Sequence, residues 1–242
     1  MIRVAAAGDV HVGVDSVGRL RPLLADLHRD ADLFLLAGDL THRGRPEEAK
    51  VLAEELDGLG VPVVAVLGNH DYHSDEQDAV TGVLEDAGIT VLEGSGVVVR
   101  VGDRRIGVAG TKGFGGGFAG ASASDFGERE MKAFVAETRR LARRLERALA
   151  SLRADRRIAL LHYSPVADTL AGEPREIYPF LGSYLLAEAV DRSGADLVLH
   201  GHAHRGSPSG VTPGGVPVRN VAVPVIGCAY QVFQFESAEA TA

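Results

Sequence analysis

The chain has 242 residues, 45% of them hydrophobic, and a formal net charge of −8. That length suffices for one large α/β domain with a full core, so no second domain is required, and the composition is that of an ordinary globular chain. The acidic balance disfavours nucleic acid or an anionic membrane as the main partner.

The opening apolar run, residues 2–7, stops at Gly8-Asp9. It is too short for the core of a signal peptide. Residues 17–29 carry Leu20, Leu23, Leu24 and Leu27 at helical spacing, which predicts a helix there. Residues 33–37 form a second apolar run, ending in Gly38-Asp39. A helix is expected over 46–59, with Pro46 suited to its first turn. The run 61–67 ends in Gly68-Asn69-His70-Asp71, and a helix is expected over 75–87. Apolar strands alternating with helices predict a sheet covered on both faces.

After Gly88 the pattern changes. Segments 97–101 and 104–109 flank Gly102-Asp103, a hairpin signal. A Gly-rich loop over 110–125 and a long helix over 128–152 follow. The loop is either a mobile flap offering Lys112 or Phe114 to a ligand or a long surface connection; it lacks the Gly-Lys-Ser/Thr ending of a P-loop. The helix carries Arg139, Arg140, Arg143, Arg144 and Arg147 on a face expected to be solvated, and Leu141, Leu145 and Leu149 on the face expected to point inward. Strand 158–161 runs into His162, a helix is expected over 183–192, and strand 196–199 runs into His200-Gly201-His202-Ala203-His204. Segments 216–223 and 230–235 read as closing strands, and the tail 237–242 is expected to fray.

Five apolar strands thus end in metal-ligand chemistry: Asp9 and His11, Asp39, Asn69 with His70-Asp71, His162, and His202 with His204. In open α/β sheets functional groups gather beyond the carboxyl ends of strands, so these side chains are expected to share one space. Carboxylate, amide oxygen and imidazole together suit manganese, iron or zinc, whereas calcium wants all-oxygen ligands. The lone Cys228 allows neither an internal disulfide nor a cysteine zinc site. Seven candidate ligands are too many for one ion but suit two that share a bridging carboxylate, an arrangement that favours displacement at phosphorus.

With these blocks in this order, spanning residues 9–204, the sequence resembles the calcineurin-like metallophosphoesterase superfamily. The resemblance implies a single domain over 1–242, a four-layer αββα sandwich of two mixed sheets flanked by helices. It implies that Asp9, His11 and His204 hold one ion, that Asn69, His162 and His202 hold the other, and that Asp39 bridges both. It further implies that His70 stands near the phosphate as acid or electrostatic stabiliser, with Asp71 hydrogen-bonded to it. The expected activity is hydrolysis of a small phosphate monoester or diester by a hydroxide bridging two transition-metal ions (manganese, iron or zinc). A cyclic-nucleotide phosphodiesterase is the alternative, and a non-catalytic metal-bound scaffold is a third reading, disfavoured because no ligand is missing. A repair nuclease is less expected, since the chain has little left over beyond its catalytic core.

Of the other histidines, His28 is expected at the surface of a helix, His42 and His73 in solvated loops, and His200 stays unassigned. The free thiol, the short N-terminal apolar run and the lack of a membrane-span-length segment together place the expected location in the cytoplasm.

Overall fold

The computed structural model describes residues 1–236, so the expected fraying of 237–242 lies outside the described residues. The strands are β1 (Ile2–Ala7), β2 (Leu33–Ala37), β3 (Val63–Val66), β4 (Thr90–Val91), β5 (Ser95–Val101), β6 (Arg104–Thr111), β7 (Gly117–Phe118), β8 (Ala121–Ser122), β9 (Arg156–Leu161), β10 (Leu197–His200), β11 (Ser209–Val211), β12 (Pro217–Asn220) and β13 (Gln231–Phe235). The helices are α1 (Leu27–Asp30), α2 (Pro46–Leu56), α3 (Gln77–Asp86), α4 (Arg129–Ser151), α5 (Tyr178–Leu181), α6 (Tyr184–Ser193) and α7 (Val223–Ile226).

Two sheets form, in the orders β13-β1-β2-β3-β4 and β11-β12-β10-β9-β6-β5. Strands β1 to β4 run parallel, as do β6, β9, β10 and β12; β13, β5 and β11 are antiparallel edges. Alternation along each strand sorts side chains into layers. Val4, Ala6, Leu35 and Val64 of the first sheet meet Ile106, Val108, Ile158 and Leu199 of the second. The opposite faces carry Ala5, Phe34 and Leu36 under Leu52 of α2 and Leu84 of α3, and Ala159 and Val198 under Leu145 of α4 and Leu186 of α6. Helix, sheet, sheet, helix is the four-layer order that the family resemblance implies.

The expected elements form with small changes at their ends, including the β5–β6 hairpin across Gly102-Asp103. Helix α6 starts at Ser183, whose side chain accepts from the Leu185 amide as an N-cap. One expectation fails. Residues 17–29 form no continuous helix but a 3₁₀ turn, Arg21–Leu24, and the short α1. Pro22 stands near the start of that turn, where a proline suits helix initiation and not continuation. The upstream amides of Gly18, Leu20 and Arg21 donate to the Glu55 carboxylate of α2 at 2.5–2.8 Å, which fixes them in a non-helical path. The expected strand 216–223 also stops early, at Asn220, because Pro224 opens α7.

Candidate metal centre

The carboxyl ends of β1, β2, β3, β9 and β10 converge on one edge, with β1–β3 in one sheet and β9–β10 in the other. Backbone bonds lock the converging turns together: Asp9 N–H donates to Gly38 O (2.9 Å), His11 N–H to Asp39 O (3.0 Å) and Gly201 N–H to His162 O (3.2 Å). Two glycines make the approach possible. A Cβ on Gly68 would lie 2.1 Å from Asp39 Oδ1, and one on Gly201 would lie 2.2 Å from Asp9 Oδ2. Asp9, His11, Asp39 and His202 have positive φ, at 60°, 44°, 50° and 71°. Left-handed backbone disfavours side chains with a Cβ by roughly 1–2 kcal/mol per residue, and such strain concentrates where a site requires it.

The side chains gather into two groups with one member in common. Ligand atoms of Asp9, His11, Asp39 and His204 lie within 4.8 Å of one another, as do those of Asp39, His162 and His202. Asn69 joins the second group, its Oδ1 standing 2.9 Å from His162 Nε2. All seven ligand-type residues predicted from the sequence are therefore brought together, and Asp39 stands between the groups.

The donor set is that of a cation site. His162 Nδ1 faces the Ala37 carbonyl at 2.9 Å, and a carbonyl only accepts, so that nitrogen carries hydrogen. In the neutral ring Nε2 is then a lone pair. It points at two further acceptors, Asn69 Oδ1 and, at 3.3 Å, Asp39 Oδ1. A cation placed between these three atoms would satisfy them together. On the other side Asp39 Oδ2 faces His11 Nε2 at 3.8 Å, while the buried His11 Nδ1 has no hydrogen-bond partner among the described residues.

Electrostatics differ between the groups. Burial opposes ionisation of Asp9, but the His204 hydrogen bond (2.9 Å), the fields of His162 and His204 and the His202 amide outweigh it and hold the carboxyl below its ordinary range. The same hydrogen bond to Asp9 raises His204 above an ordinary histidine. Burial lowers His11 and pushes His202 down to about 3, the latter enclosed by the rings of Tyr163 and His162 at 4.4 and 4.8 Å.

His70 lies where expected, beside the centre. Its amide donates to Asp39 Oδ1 (2.8 Å), its Nε2 stands 4.0 Å from Asp39 Oδ2, and its ring packs edge-on to His11 at 4.5 Å. The expected hydrogen bond from His70 to Asp71 is not formed. The Asp71 carboxylate is fully buried and accepts from the amides of Leu40, Thr41 and Gly68 and from the Thr41 hydroxyl. It thus clamps the Asp39 turn to the Asn69 turn. The group that orients His70 is the His42 carbonyl, 2.9 Å from Nδ1.

The remaining readings divide. His42 is solvated, as expected, yet its ring also stacks beside His70 at 6.3 Å, a contact its place three residues beyond Asp39 only hinted at. His28 and His73 are exposed. His200 is buried away from the centre, bonded to the Thr169 hydroxyl, and burial lowers its pKa to about 4. Segment 110–125 is an ordered extension of β6 with the β7–β8 hairpin. Lys112 is not a free flap residue: it is buried, its ammonium about 5 Å from the ring centres of Tyr72, Phe114 and Tyr163. On α4 the leucine stripe is buried, while Arg139 and Arg140 pair with Asp125 and Glu137. No described helix is long and apolar enough to cross a membrane.

The chain belongs to the calcineurin-like phosphoesterase family, whose profile matches residues 2–206. It is 35% identical over 80 residues to a probable cyclic nucleotide phosphodiesterase of Synechococcus sp., a match covering 29% of this chain and 31% of that protein. It is 40% identical over 72 residues to the symmetrical bis(5′-nucleosyl)-tetraphosphatase of Nitrosococcus oceani, covering 29% and 24%. It is 34% identical over 87 residues to the DNA double-strand break repair protein Mre11 of Haloferax volcanii, covering 29% and 20%. The matches thus span less than a third of each of these relatives. Among solved structures, phosphopantetheinyl hydrolase from Mycobacterium tuberculosis superposes with a TM-score of 0.68 at 16% identity, covering 99% of this chain and 98% of that one. TT1561 of Thermus thermophilus gives 0.57 at 19% identity, covering 90% and 88%. At such identities the likeness is one of fold.

Proposed function

We propose that the chain hydrolyses a small phosphate ester, monoester or diester, at a centre of two transition-metal ions. The observation that carries this reading is the pair of ligand groups meeting at Asp39. Asp9, His11 and His204 would hold one ion, and Asn69, His162 and His202 the other, with Asp39 shared. The mixed oxygen and nitrogen set suits manganese, iron or zinc. When bound, two such ions neutralise phosphate charge and make water a competent nucleophile near neutral pH.

The chain's own residues supply position and a proton. His162 is held by the Ala37 carbonyl, which fixes Nε2 toward the centre. The His42 carbonyl likewise takes the Nδ1 hydrogen of His70 and leaves Nε2 facing the reaction space. With Nδ1–H so engaged, Nε2 can give a proton to the departing alkoxide or a hydrogen bond to a phosphoryl oxygen only from the doubly protonated ring, which returns to its neutral form as the proton leaves. Asp71 acts at one remove, holding the two turns that present Asp39 and Asn69.

Cyclic-nucleotide phosphodiester hydrolysis is the second reading, favoured by the likeness to the Synechococcus protein. A scaffold without turnover is disfavoured because the whole ligand set and His70 are present together. The net charge of −8 supports a small ester over nucleic acid as the ligand, and the exposed free Cys228 supports a cytoplasmic setting. The test is a screen of metal-stripped and manganese-, iron- or zinc-supplemented protein against mono-, di- and cyclic phosphate esters. Metal-dependent turnover of at least one class is expected. Binding of two ions with no turnover of any class would favour the scaffold.

A further inference from the structure

A cleft of about 680 Å³ opens directly off the centre, with His11 in its wall. That volume is typical of a site for a drug-sized organic group. A second cavity of about 780 Å³ is larger but contains none of the seven ligand-type residues. Position, not size, therefore singles out the first. Its lining is mainly apolar, with Val10, Leu20, Leu23, Val223 and Ala229, beside the polar His11, Ser16 and Arg19. Leu23 is 61% exposed, and Val14 and Val17 of the same segment are similarly bare. Three exposed aliphatic side chains within ten residues, beside a cleft, are the pattern of a ligand-binding surface.

Arg19, Leu20 and Leu23 of the cleft wall come from the segment that forms a 3₁₀ turn in place of the predicted helix. Glu55 anchors the Gly18, Leu20 and Arg21 amides, and the Ser16 hydroxyl accepts from the Gly13 amide, so the open path is fixed before any ligand arrives. His11, in the cleft wall, packs edge-on against the ring of His70 at 4.5 Å, so the cleft begins next to the residue placed to assist the leaving group. No phenylalanine or tyrosine lines it, so beyond the His11 ring at its inner end it offers aliphatic contact in place of an aromatic platform for a nucleobase. Arg19 stands in the wall with its guanidinium 4.0 Å from Asp15, leaving donors for a polar group farther along the ligand.

We infer that this cleft seats the alcohol portion of the substrate, and that the substrate is a water-soluble phosphate ester whose alcohol carries an aliphatic chain. This rests on the phosphoesterase reading of the centre and narrows it. Cys228, the only cysteine of the chain, lines the cleft and supplies a native reporter. The probes are methylphosphonate and hexylphosphonate, which resist hydrolysis, with adenosine monophosphate as the aromatic control, on manganese-loaded protein.

Calorimetry should show methylphosphonate binding only when manganese is present, and hexylphosphonate binding about 100-fold tighter. That is a little over twofold per methylene, below the roughly fourfold of complete burial. At saturation hexylphosphonate should slow alkylation of Cys228 by about tenfold or more, and methylphosphonate should not. Leu23→Asp, at an exposed position, and Cys228→Trp, which fills the cleft, should each remove most of the hexyl advantage and leave methylphosphonate affinity unchanged. Equal affinities for the two phosphonates, unprotected Cys228, or equal protection by adenosine monophosphate would overturn the assignment while leaving the metal-dependent headgroup site standing. Hexyl protection without manganese would overturn it too, by separating the cleft from the centre. Loss of methylphosphonate binding itself would count against the phosphoesterase reading. Co-sedimentation with phosphatidylcholine vesicles containing phosphatidate would overturn the water-soluble source.

Discussion

The group around Asp9, His11 and His204 has an exposed member, His204, whereas the group around His162 and His202 has none. The His204 side chain is 41% exposed and that of His162 is fully buried. Both sides use imidazole and share Asp39, so the difference lies in what the ring must do before it can bind a cation. His202 is already held neutral, at about 3, by burial. His204 is raised by its hydrogen bond to Asp9, so protons compete more strongly with a cation for its ring. Burial thus prepares one side as a ligand, and ion pairing makes the other proton-sensitive.

The strongest way to break this comparison is to remove the residue both sides share. Asp39→Asn should weaken binding at both, by more than the roughly 10–100-fold typical of an outer partner. Elemental analysis after dialysis should find well under two ions per chain. Retention of two ions would show that Asp39 is not common to them.

His70→Ala should leave both ions in place, because His70 Nε2 stands 4.0 Å from Asp39 and belongs to neither ligand group. Turnover of an alkyl phosphate should fall by about 10²–10⁴-fold, the usual contribution of a general acid. A nitrophenyl ester, whose leaving group is a stable anion, should lose much less. Equal losses on the two esters would assign His70 to the phosphoryl oxygens instead.

Asp71→Asn should act through the fold and not through a leaving group. An amide nitrogen would replace an oxygen that accepts from buried N–H groups of both turns. A mismatch of this kind costs about 1–3 kcal/mol, or about 3–10 °C in melting temperature for a chain of this size. Thermal unfolding of metal-free protein checks it. An unchanged melting point with a leaving-group-dependent rate loss would restore Asp71 to the chemistry.

The smallest effect sharpens the difference between the sides. His204 has its pKa raised, so it is protonated over a wider range, and acidification through that raised value sets protons against the first ion. His202 gains no proton until about pH 3. As the pH falls from 7.5 to 5.5 calorimetry should show one ion weakening, by up to about tenfold per pH unit once below the raised His204 value, and the other changing less. Parallel weakening would mean that the environments do not separate the sides.

The strand ends and the convergence of Asp9, His11, Asp39, Asn69, His162, His202 and His204 were legible because continuous apolar runs and strand-end chemistry are local signals, while the four layers followed from the family resemblance. What escaped were contacts over distance. Glu55 reaches back more than thirty residues to hold amides that leucine spacing assigned to a helix. Asp71 sits beside His70 in sequence, yet three donors from the Asp39 turn and the Gly68 amide of its own turn claim its carboxylate. The role of His42 lies in its backbone carbonyl, which no side-chain pattern marks. His200 and His202 are two residues apart, but the turn at Gly201 sends one into the core and the other to the centre.

The central claim is a centre of two ions joined by Asp39. It is tested most directly by anomalous diffraction at the manganese edge, from crystals grown with excess manganese at pH 7.5. The account predicts two peaks roughly 3.5–4 Å apart with the Asp39 carboxylate between them, the usual spacing of two-metal sites. Asp9, His11 and His204 should surround one peak, and Asn69, His162 and His202 the other. A single fully occupied peak, or two peaks of which Asp39 touches only one, would contradict it.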